Sequence, residues 1–269
     1  MKIKDVLDQY EQHLQKTVSY NRAKIAINNL SSLYPYDIGE VAKQVNKYID
    51  NRSASPGTIN RELTVLQSAL RWAFKRGDIE LLPSITRLPS PPPRSKFLTD
   101  QQVQDLKNAS VDHPQVNLFI RIALMTGQRK EAILSLKWDQ VDFEVGLVDF
   151  NDPSIYMPHR RKGRGVVPMS EALRTLLLQA KTDSMYVINK NGKRVRDFRV
   201  AWESVMKKAG LDITPHVLRH TVATHLAQKN VPMPQISRLL GHRSTAITER
   251  VYAKYSPDFC RQAVAHLNA

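Results

Sequence analysis

Apolar residues recur at helical spacing along most of the chain. Val6, Leu7, Tyr10 and Leu14 share one face of a predicted N-terminal helix, as a 3.6-residue period requires. Ile25, Leu30 and Leu33 continue the pattern less regularly. Pro56-Gly57 interrupts it, and Thr58 is then placed as the N-cap of a helix over Ile59 to Arg76. Ile59, Leu63, Leu66, Leu70 and Phe74 form the apolar face of that helix; Arg61, Arg71 and Lys75 lie on its other side. Residues 83–96 are crowded with prolines, three of them adjacent. Adjacent prolines continue neither a helix nor a sheet ladder, so this stretch is read as an extended, semi-rigid linker. It would join a helical unit, residues 1–82, to a second unit, residues 97–269. In the second unit Thr99 is placed to cap a helix through Lys107, with Val103 and Leu106 inward. Asn117 to Met125 is a further apolar helix. Trp138 to Phe150 alternates loosely around a Val145-Gly146 turn, and Ile155 to Met169 reads as another hairpin with a basic tip. Helices are predicted over 170–181, 197–209 and 215–229. Ile236, Leu239 and Leu240 make an apolar stripe that Gly241 should end. The fold class that follows is mainly α (α+β), with a small antiparallel sheet in the second unit.

Charge narrows the function. Against 25 Asp+Glu the chain has 40 Lys+Arg, a net +15, of which residues 1–96 hold +6 and residues 97–269 hold +9. An excess spread over both units suits a long polyanion such as double-stranded DNA, although a ribosome-associated or merely basic protein would have the same charge. Cys260 is the sole cysteine, which excludes an internal disulfide and a cysteine-rich metal site and fits a reducing compartment. Asp5, Asp8 and Glu11 interrupt the N-terminus, against a signal peptide. The apolar run from Leu118 to Met125 is broken by Arg121, against a membrane span. A soluble protein of the cytoplasm, with no membrane partner, is expected.

Candidate chemistry concentrates late in the chain. Thr214-Pro215 is a helix-start signal that puts His216 and Arg219 on one face near the positive end of the helix. Leu239-Leu240-Gly241-His242 places a histidine at a fixed corner, and Tyr252 and Tyr255 follow one helical turn apart. Thr126-Gly127-Gln128-Arg129 turns before a new helix and puts Arg129 in its first turn, where free N–H groups also favour an anion. Each piece alone has a bland reading: a surface arginine, a surface histidine, a packing aromatic. His216 and His220 are four apart, but zinc would need another ligand; no metal is expected, and His220 is read as a supporting or packing residue. Together, two arginines, two histidines and a tyrosine suggest a site that grips a phosphate and attacks it with a phenol. Guanidinium groups stay charged and match phosphate oxygens in pairs. Spacing alone does not choose between Tyr252 and Tyr255.

The ordered set T-G-x-R, H-x-x-R, L-G-H and a late tyrosine resembles the tyrosine recombinase, or phage integrase, family over nearly the whole chain. The resemblance implies a small helical core-binding domain and a catalytic domain that close around duplex DNA. It implies Arg129, His216, Arg219 and His242 as phosphate ligands and Tyr252 as the nucleophile. It implies a lysine on the hairpin ahead of a V-P pair as general acid. Lys162 is the lysine in His159-Arg160-Arg161-Lys162-Gly163-Arg164, though it lies nearer Pro168 than the family's lysine, and Arg160 takes that place. The family's acidic residue three positions after the first arginine is Ala132 here, with Glu131 one place earlier. Arg61, Arg71, Lys75, Arg87, Arg94, Lys96, Arg160, Arg161 and Arg164 are the expected DNA contacts. The function implied is site-specific recombination through a 3′-phosphotyrosyl link, without cofactor, metal or ATP, most naturally as the integrase of a prophage or genomic island in a bacterial cell. Implied partners are attachment-site DNA, three further copies in a homotetramer, and excisionase or DNA-bending accessory proteins. Asp258 to Leu267 would form a helix docking on a neighbour, with Cys260 buried there. The chain is expected to start at the core-binding domain, without an arm-binding domain before it. The competing readings are type IB topoisomerase-like relaxation and a non-enzymatic DNA-binding protein of the same fold.

Overall fold

The computed structural model describes residues 1–89, 96–151, 164–242, 244–257 and 264. Arg94, Arg160, Arg161, Lys162 and Cys260, and the predicted helix over 258–267 apart from Val264, lie outside the described residues. The chain divides into two compact units, Met1–Pro93 and Arg94–Ala269.

The first unit is built from helices α1 (Ile3–Leu14), α2 (Tyr20–Asn29), α3 (Val41–Asn51) and α4 (Pro56–Arg76). α1 and α2 pack on α4, the longest of them. α4 begins earlier than its apolar pattern suggests. Ser55 is its N-cap, accepting from the Thr58 amide, and Pro56 occupies the first turn, where a missing N–H costs nothing. The predicted breaker is therefore the helix start. At the other end Phe74 is 44% exposed while Ala73 is buried, so Ala69, Leu70 and Ala73 carry the inner face. Ile25 is likewise 64% exposed and Ile27 takes the core position. The start of the proline-rich stretch is held to this unit rather than free. Ile85 is buried in its core, and Asn60 exchanges two hydrogen bonds with the Leu88 backbone. Arg87, expected on a DNA phosphate, instead donates to the Asn60 carbonyl, Thr64 and Gln67 along α4. Arg61, Arg71 and Lys75 are exposed.

One buried carboxylate ties this unit together. Glu62 on α4 is 3% exposed. It accepts from Tyr48 at 2.5 Å, Asn29 at 2.7 Å and both Nη2 and Nε of Arg52. Burial alone would raise its pKa, but the hydrogen bonds from Arg52, Tyr48 and Asn29 hold it below the ordinary carboxylate value. A carboxyl with a depressed folded pKa stabilises above its unfolded pKa and loses that stabilisation as pH falls through the folded one. Glu62→Gln should therefore unfold at lower urea near pH 7, by on the order of 2 kcal/mol from its lost charged hydrogen bonds. The gap to wild type should narrow as pH falls below the usual carboxylate range. Urea titrations of both proteins from pH 7 to pH 3 check this; a pH-independent gap would contradict it.

In the second unit the elements are α5 (Asp100–Ala109), α6 (Pro114–Thr126), α7 (Lys130–Leu134), strands β1 (Val141–Asp142), β2 (Leu147–Asp149) and β3 (Val166–Pro168), then α8 (Glu171–Gln179), β4 (Asn189–Lys190), β5 (Lys193–Arg194), α9 (Arg199–Ala209), α10 (Pro215–Gln228), α11 (Met233–Leu240) and α12 (Thr245–Tyr252). The class is mainly helical with a small antiparallel sheet, β1-β2-β3. Val148 pairs with Val141 on one side and Val167 on the other, and all three point into the core. Gly146 turns β1 into β2 at φ 73°, a conformation that favours glycine. Thr99 caps α5 as expected, accepting from the Gln102 amide. α10 runs through the middle of the unit and touches α6, α11 and α12. It buries Val217, Leu218, Thr221, Ala223, Thr224 and Ala227, which is why it lacks one simple apolar face.

Candidate active site

The site is assembled by backbone junctions. The T-G-Q-R stretch closes α6 and opens α7, and each of its residues has a separate task. Thr126 is fully buried and donates its hydroxyl back to the Ile122 carbonyl. Gly127 ends α6 at φ 64°, and a Cβ there would stand 2.8 Å from Leu240 Cδ2 and 3.3 Å from Val222 Cγ1. Both the left-handed backbone and the close approach require glycine. Gln128, also buried, donates Nε2 to the Leu239 carbonyl at 2.7 Å and so pins the end of α11. Arg129 is not in the first turn of α7 as its sequence suggests. It is the N-cap, with extended backbone (φ −71°, ψ 148°).

α10 supplies the next three groups from one turn. Thr214 stands at its N-cap without a side-chain bond, and Pro215 occupies N1. His216 and His220 lie one turn apart, with ring centroids 4.6 Å apart and edge to face. Arg219 is 3% exposed. Its Nη1 donates to the Gly127 carbonyl at 3.1 Å, which locks α10 to the α6–α7 corner. Its Nη2 is buried and has no acceptor among the described residues. A buried donor without an acceptor costs about 1–3 kcal/mol, so this atom is set to receive something.

His242 follows Gly241, which ends α11 at φ 66°. The His242 amide bonds to the Ser237 carbonyl at 2.9 Å, and its Nδ1 meets Thr248 Oγ1 at 2.8 Å. Thr248 is fully buried on α12, so both the backbone and the imidazole of His242 are held. Tyr252 is the last residue of α12. Its ring packs with Ala223, Ala227, Ile236 and Leu240 in a small core of its own, and it is 4% exposed. Its hydroxyl meets His220 Nδ1 at 2.5 Å. Tyr255 lies in the 3-10 turn after α12, at the edge of the same small core, with its ring edge-on to Phe97 at 5.5 Å.

The electrostatics agree with an anion site. Burial and then the Arg129 charge push Arg219 down to about 9, leaving it protonated at neutral pH. Burial, then Arg164, lower Arg129. His216 and His242 are each pushed down to about 4, by burial first and then by neighbouring His220 and Arg219, respectively Arg219 and Arg129. Burial also pushes the Tyr252 hydroxyl up to about 12, although Arg219 pulls the other way. At pH 7 the site thus holds charged guanidiniums beside neutral imidazoles and a protonated phenol. A phosphodiester would relieve the repulsion between the arginines and supply the acceptor that Nη2 lacks.

Other expected residues fall differently. Arg164 is half-buried and donates to Ser135 and to the Phe150 carbonyl, so it supports the site from within the unit. Lys96 donates to the Asp212 carbonyl. Glu131 pairs at the surface with Arg194 at 3.3 Å, while Ala132, where a carboxylate was sought, is buried in the core. Thr248 and Gln128 are contributors that the sequence leaves unassigned, and His220, read there as a supporting or packing residue, meets the Tyr252 hydroxyl. Among the described residues no group of three His, Cys, Asp or Glu side chains could hold a metal ion, and no helix is long and apolar enough to cross a membrane.

Comparison with known proteins points the same way. The model of the phage integrase family matches residues 96–258. Tyrosine recombinase XerA of Thermococcus kodakarensis is 31% identical over 227 residues, 77% of this chain and 75% of the relative. XerA of Pyrococcus horikoshii is 26% identical over 97% of this chain and 92% of its own. Among solved structures, the Tn1549 transposon integrase in complex with transposon right end DNA superposes with a TM-score of 0.79 at 20% identity, covering 100% of both chains. A lambda integrase tetramer bound to a Holliday junction gives 0.71 at 20% identity, over 95% of this chain and 78% of that one.

Proposed function

Given that this chain belongs to the phage integrase family and is a site-specific tyrosine recombinase, we propose that Tyr252 is its nucleophile and that Arg129, Arg219, His216 and His242 hold the scissile phosphate. The observation that carries this is the buried, acceptor-less Nη2 of Arg219 in the same turn of α10 as His220, which holds the Tyr252 hydroxyl.

The steps follow from these groups. Arg219 and Arg129 bind non-bridging phosphate oxygens and stabilise the charge that builds on them as the phosphorus becomes five-coordinate. His242, clamped by Thr248, offers its other ring nitrogen to the same oxygens. Tyr252 Oη forms a bond to phosphorus while the P–O5′ bond breaks, leaving a 3′-phosphotyrosyl link. The departing 5′ oxygen takes a proton, in our reading from Lys162, by resemblance to the family's hairpin lysine. The link keeps the phosphodiester's energy, so a 5′-hydroxyl of another strand reverses the step without ATP. Strand exchange between two sites, and a tetramer on DNA, are proposed in keeping with the lambda integrase assembly on a Holliday junction. A mobile-element origin is proposed in keeping with the transposon and phage integrases of the same fold.

Nicked duplexes tiled across the DNA that flanks the gene test the reading. An SDS-resistant adduct whose phosphopeptide maps to Tyr252 is expected. With a 5′-thio leaving group, Lys162→Ala should regain most of its lost rate. A phosphopeptide at Tyr255 would move the nucleophile. An adduct formed only on DNA from elsewhere in the chromosome would keep the recombinase and remove the mobile-element origin. Specific binding with no adduct on any duplex would defeat the assignment.

A further inference from the structure

We propose that His220 is a catalytic residue, the base that takes the proton from the Tyr252 hydroxyl during strand cleavage and returns it on religation. The inference rests on Tyr252 being the nucleophile.

The nucleophile's proton must go somewhere, and the structure leaves few destinations. Tyr252 is 4% exposed, so most of the residue is shielded from bulk water. The arginines nearby have no lone pair to offer. His242 has Nδ1 engaged with Thr248. The His216 ring stands against the His220 ring rather than against the phenol. Among the described residues the one group in hydrogen-bond contact with Tyr252 Oη is Nδ1 of His220, at 2.5 Å. That distance is at the short end for an O–H donor.

The placement of both partners is fixed independently of that bond. The ring of Tyr252 sits in the small core of Ala223, Ala227, Ile236 and Leu240. His220 follows Arg219, whose guanidinium is anchored on Gly127. One turn of α10 therefore fixes both the phosphate ligand and the tyrosine hydroxyl. Burial and then the Arg219 charge lower the His220 pKa, so the ring is neutral and able to accept at pH 7. A bound phosphodiester adds a negative charge beside Arg219 and Arg129, which shifts the imidazole back toward greater basicity. The proton then moves as the Oη–P bond forms: Oη–H breaks, Nδ1–H forms, and the imidazolium stays beside the new phosphotyrosine. On religation the 5′-hydroxyl returns its proton to the group that protonated that oxygen on cleavage as the oxygen attacks phosphorus, the Oη–P bond breaks, and Oη recovers the proton from Nδ1. No other reactant is needed. Among the described residues the charged and titratable groups around His220 are His216 and Arg219 on α10, Tyr252 on α12 and His242 after α11, with Arg129 beyond Arg219.

Two measurements decide it. The first uses the free full-length protein with 15N-labelled histidine and two-bond N–H correlation, with the His220 signals identified by their loss in His220→Gln. The proposal expects a bare Nδ1 and a proton on Nε2, with the Nδ1 resonance displaced in Tyr252→Phe. A proton on Nδ1 would overturn it. The second uses single-turnover cleavage of the 5′-thio duplex that gives the adduct, where the leaving group needs no acid. His220→Ala and His220→Asn should each slow cleavage by about 100-fold or more. Added imidazole should restore part of the rate to His220→Ala, in proportion to its free base. Asparagine can hold the hydroxyl but cannot take its proton, so a wild-type rate in His220→Asn would reduce His220 to a tether and end the proposal. If His220→Ala fails to fold, His220→Asn and the labelled wild type still decide. An adduct lost in Tyr252→Phe beside full-rate His220 variants defeats this inference alone; an adduct that survives Tyr252→Phe defeats the reading beneath it.

Discussion

Tyr252→Phe should remove covalent adduct formation completely, a loss of about 10⁴-fold or more, while Tyr255→Phe leaves cleavage within about threefold of wild type. The two tyrosines are one helical turn apart, yet their surroundings differ. The Tyr252 ring fills the small core between α10, α11 and α12, and phenylalanine fills the same volume. What disappears is one oxygen and its bond to His220, worth about 1 kcal/mol of stability. The variant should therefore fold, bind the duplex and fail at the chemical step alone. Tyr255 uses its ring, edge-on to Phe97 and under the Lys254 ammonium, and its hydroxyl slightly opposes ionisation of Tyr252. Removing that hydroxyl keeps the ring contacts. Denaturing gels of adduct, with binding isotherms and thermal melts beside them, separate the cases. Loss of adduct in Tyr255→Phe at normal binding would transfer the nucleophile to the 3-10 turn.

How much of this was legible in the chain depends on how far each contact reaches. The order of the motifs marked Arg129, His216, Arg219, His242 and Tyr252, and local rules marked the Thr99 cap, the Gly146 turn and the end of α11 at Gly241. The bonds that make a site of them join residues far apart in sequence: Gly127 to Arg219, Gln128 to Leu239, Tyr252 to His220. No periodicity carries that information. From the sequence His220 reads as a supporting or packing residue, because a histidine four places from another carries no signal beyond an incomplete metal pair and the phenol that meets it lies on another helix. Glu62 was hidden in the same way, since its partners Asn29, Tyr48 and Arg52 precede α4. Other misses were local. Asn191 and Gly192 both have positive φ and join β4 to β5, the strongest short-range hairpin signal there is, and it went unread. Spacing from Leu70 puts Phe74 inward, but Ala73 takes the buried position and the phenylalanine is 44% exposed. The proline-rich stretch reads as a linker because prolines end elements; that Ile85 and Leu88 are apolar is the available hint that part of it packs.

The second large effect concerns Arg219. Arg219→Ala should slow cleavage by about 10³-fold while costing little stability, and the combination is diagnostic. In a structural salt bridge, removing one partner strands the other and destabilises by about 3–5 kcal/mol. Arg219 has no such partner among the described residues: it bonds to one carbonyl, keeps Nη2 buried without an acceptor, and is opposed by Arg129. Its desolvation is a cost that the folded protein bears before DNA arrives. Alanine removes that cost together with the Gly127 bond and some packing, so the free energy of unfolding should change by no more than about 1 kcal/mol. Arg219→Lys should also lose about 100-fold in rate or more, because one ammonium cannot reproduce a fork that binds Gly127 and a phosphate oxygen together. Sulfate offers a check without DNA. At equal ionic strength it should raise the melting temperature of wild type over chloride by more than it does for Arg219→Ala. The difference between the proteins isolates site binding from the general effect of the salt. A strongly destabilised Arg219→Ala whose folded fraction still cleaves at the wild-type rate would make the arginine a scaffold residue. Neutral stability, lost cleavage and lost sulfate response together would identify a buried cation kept for the phosphate it binds.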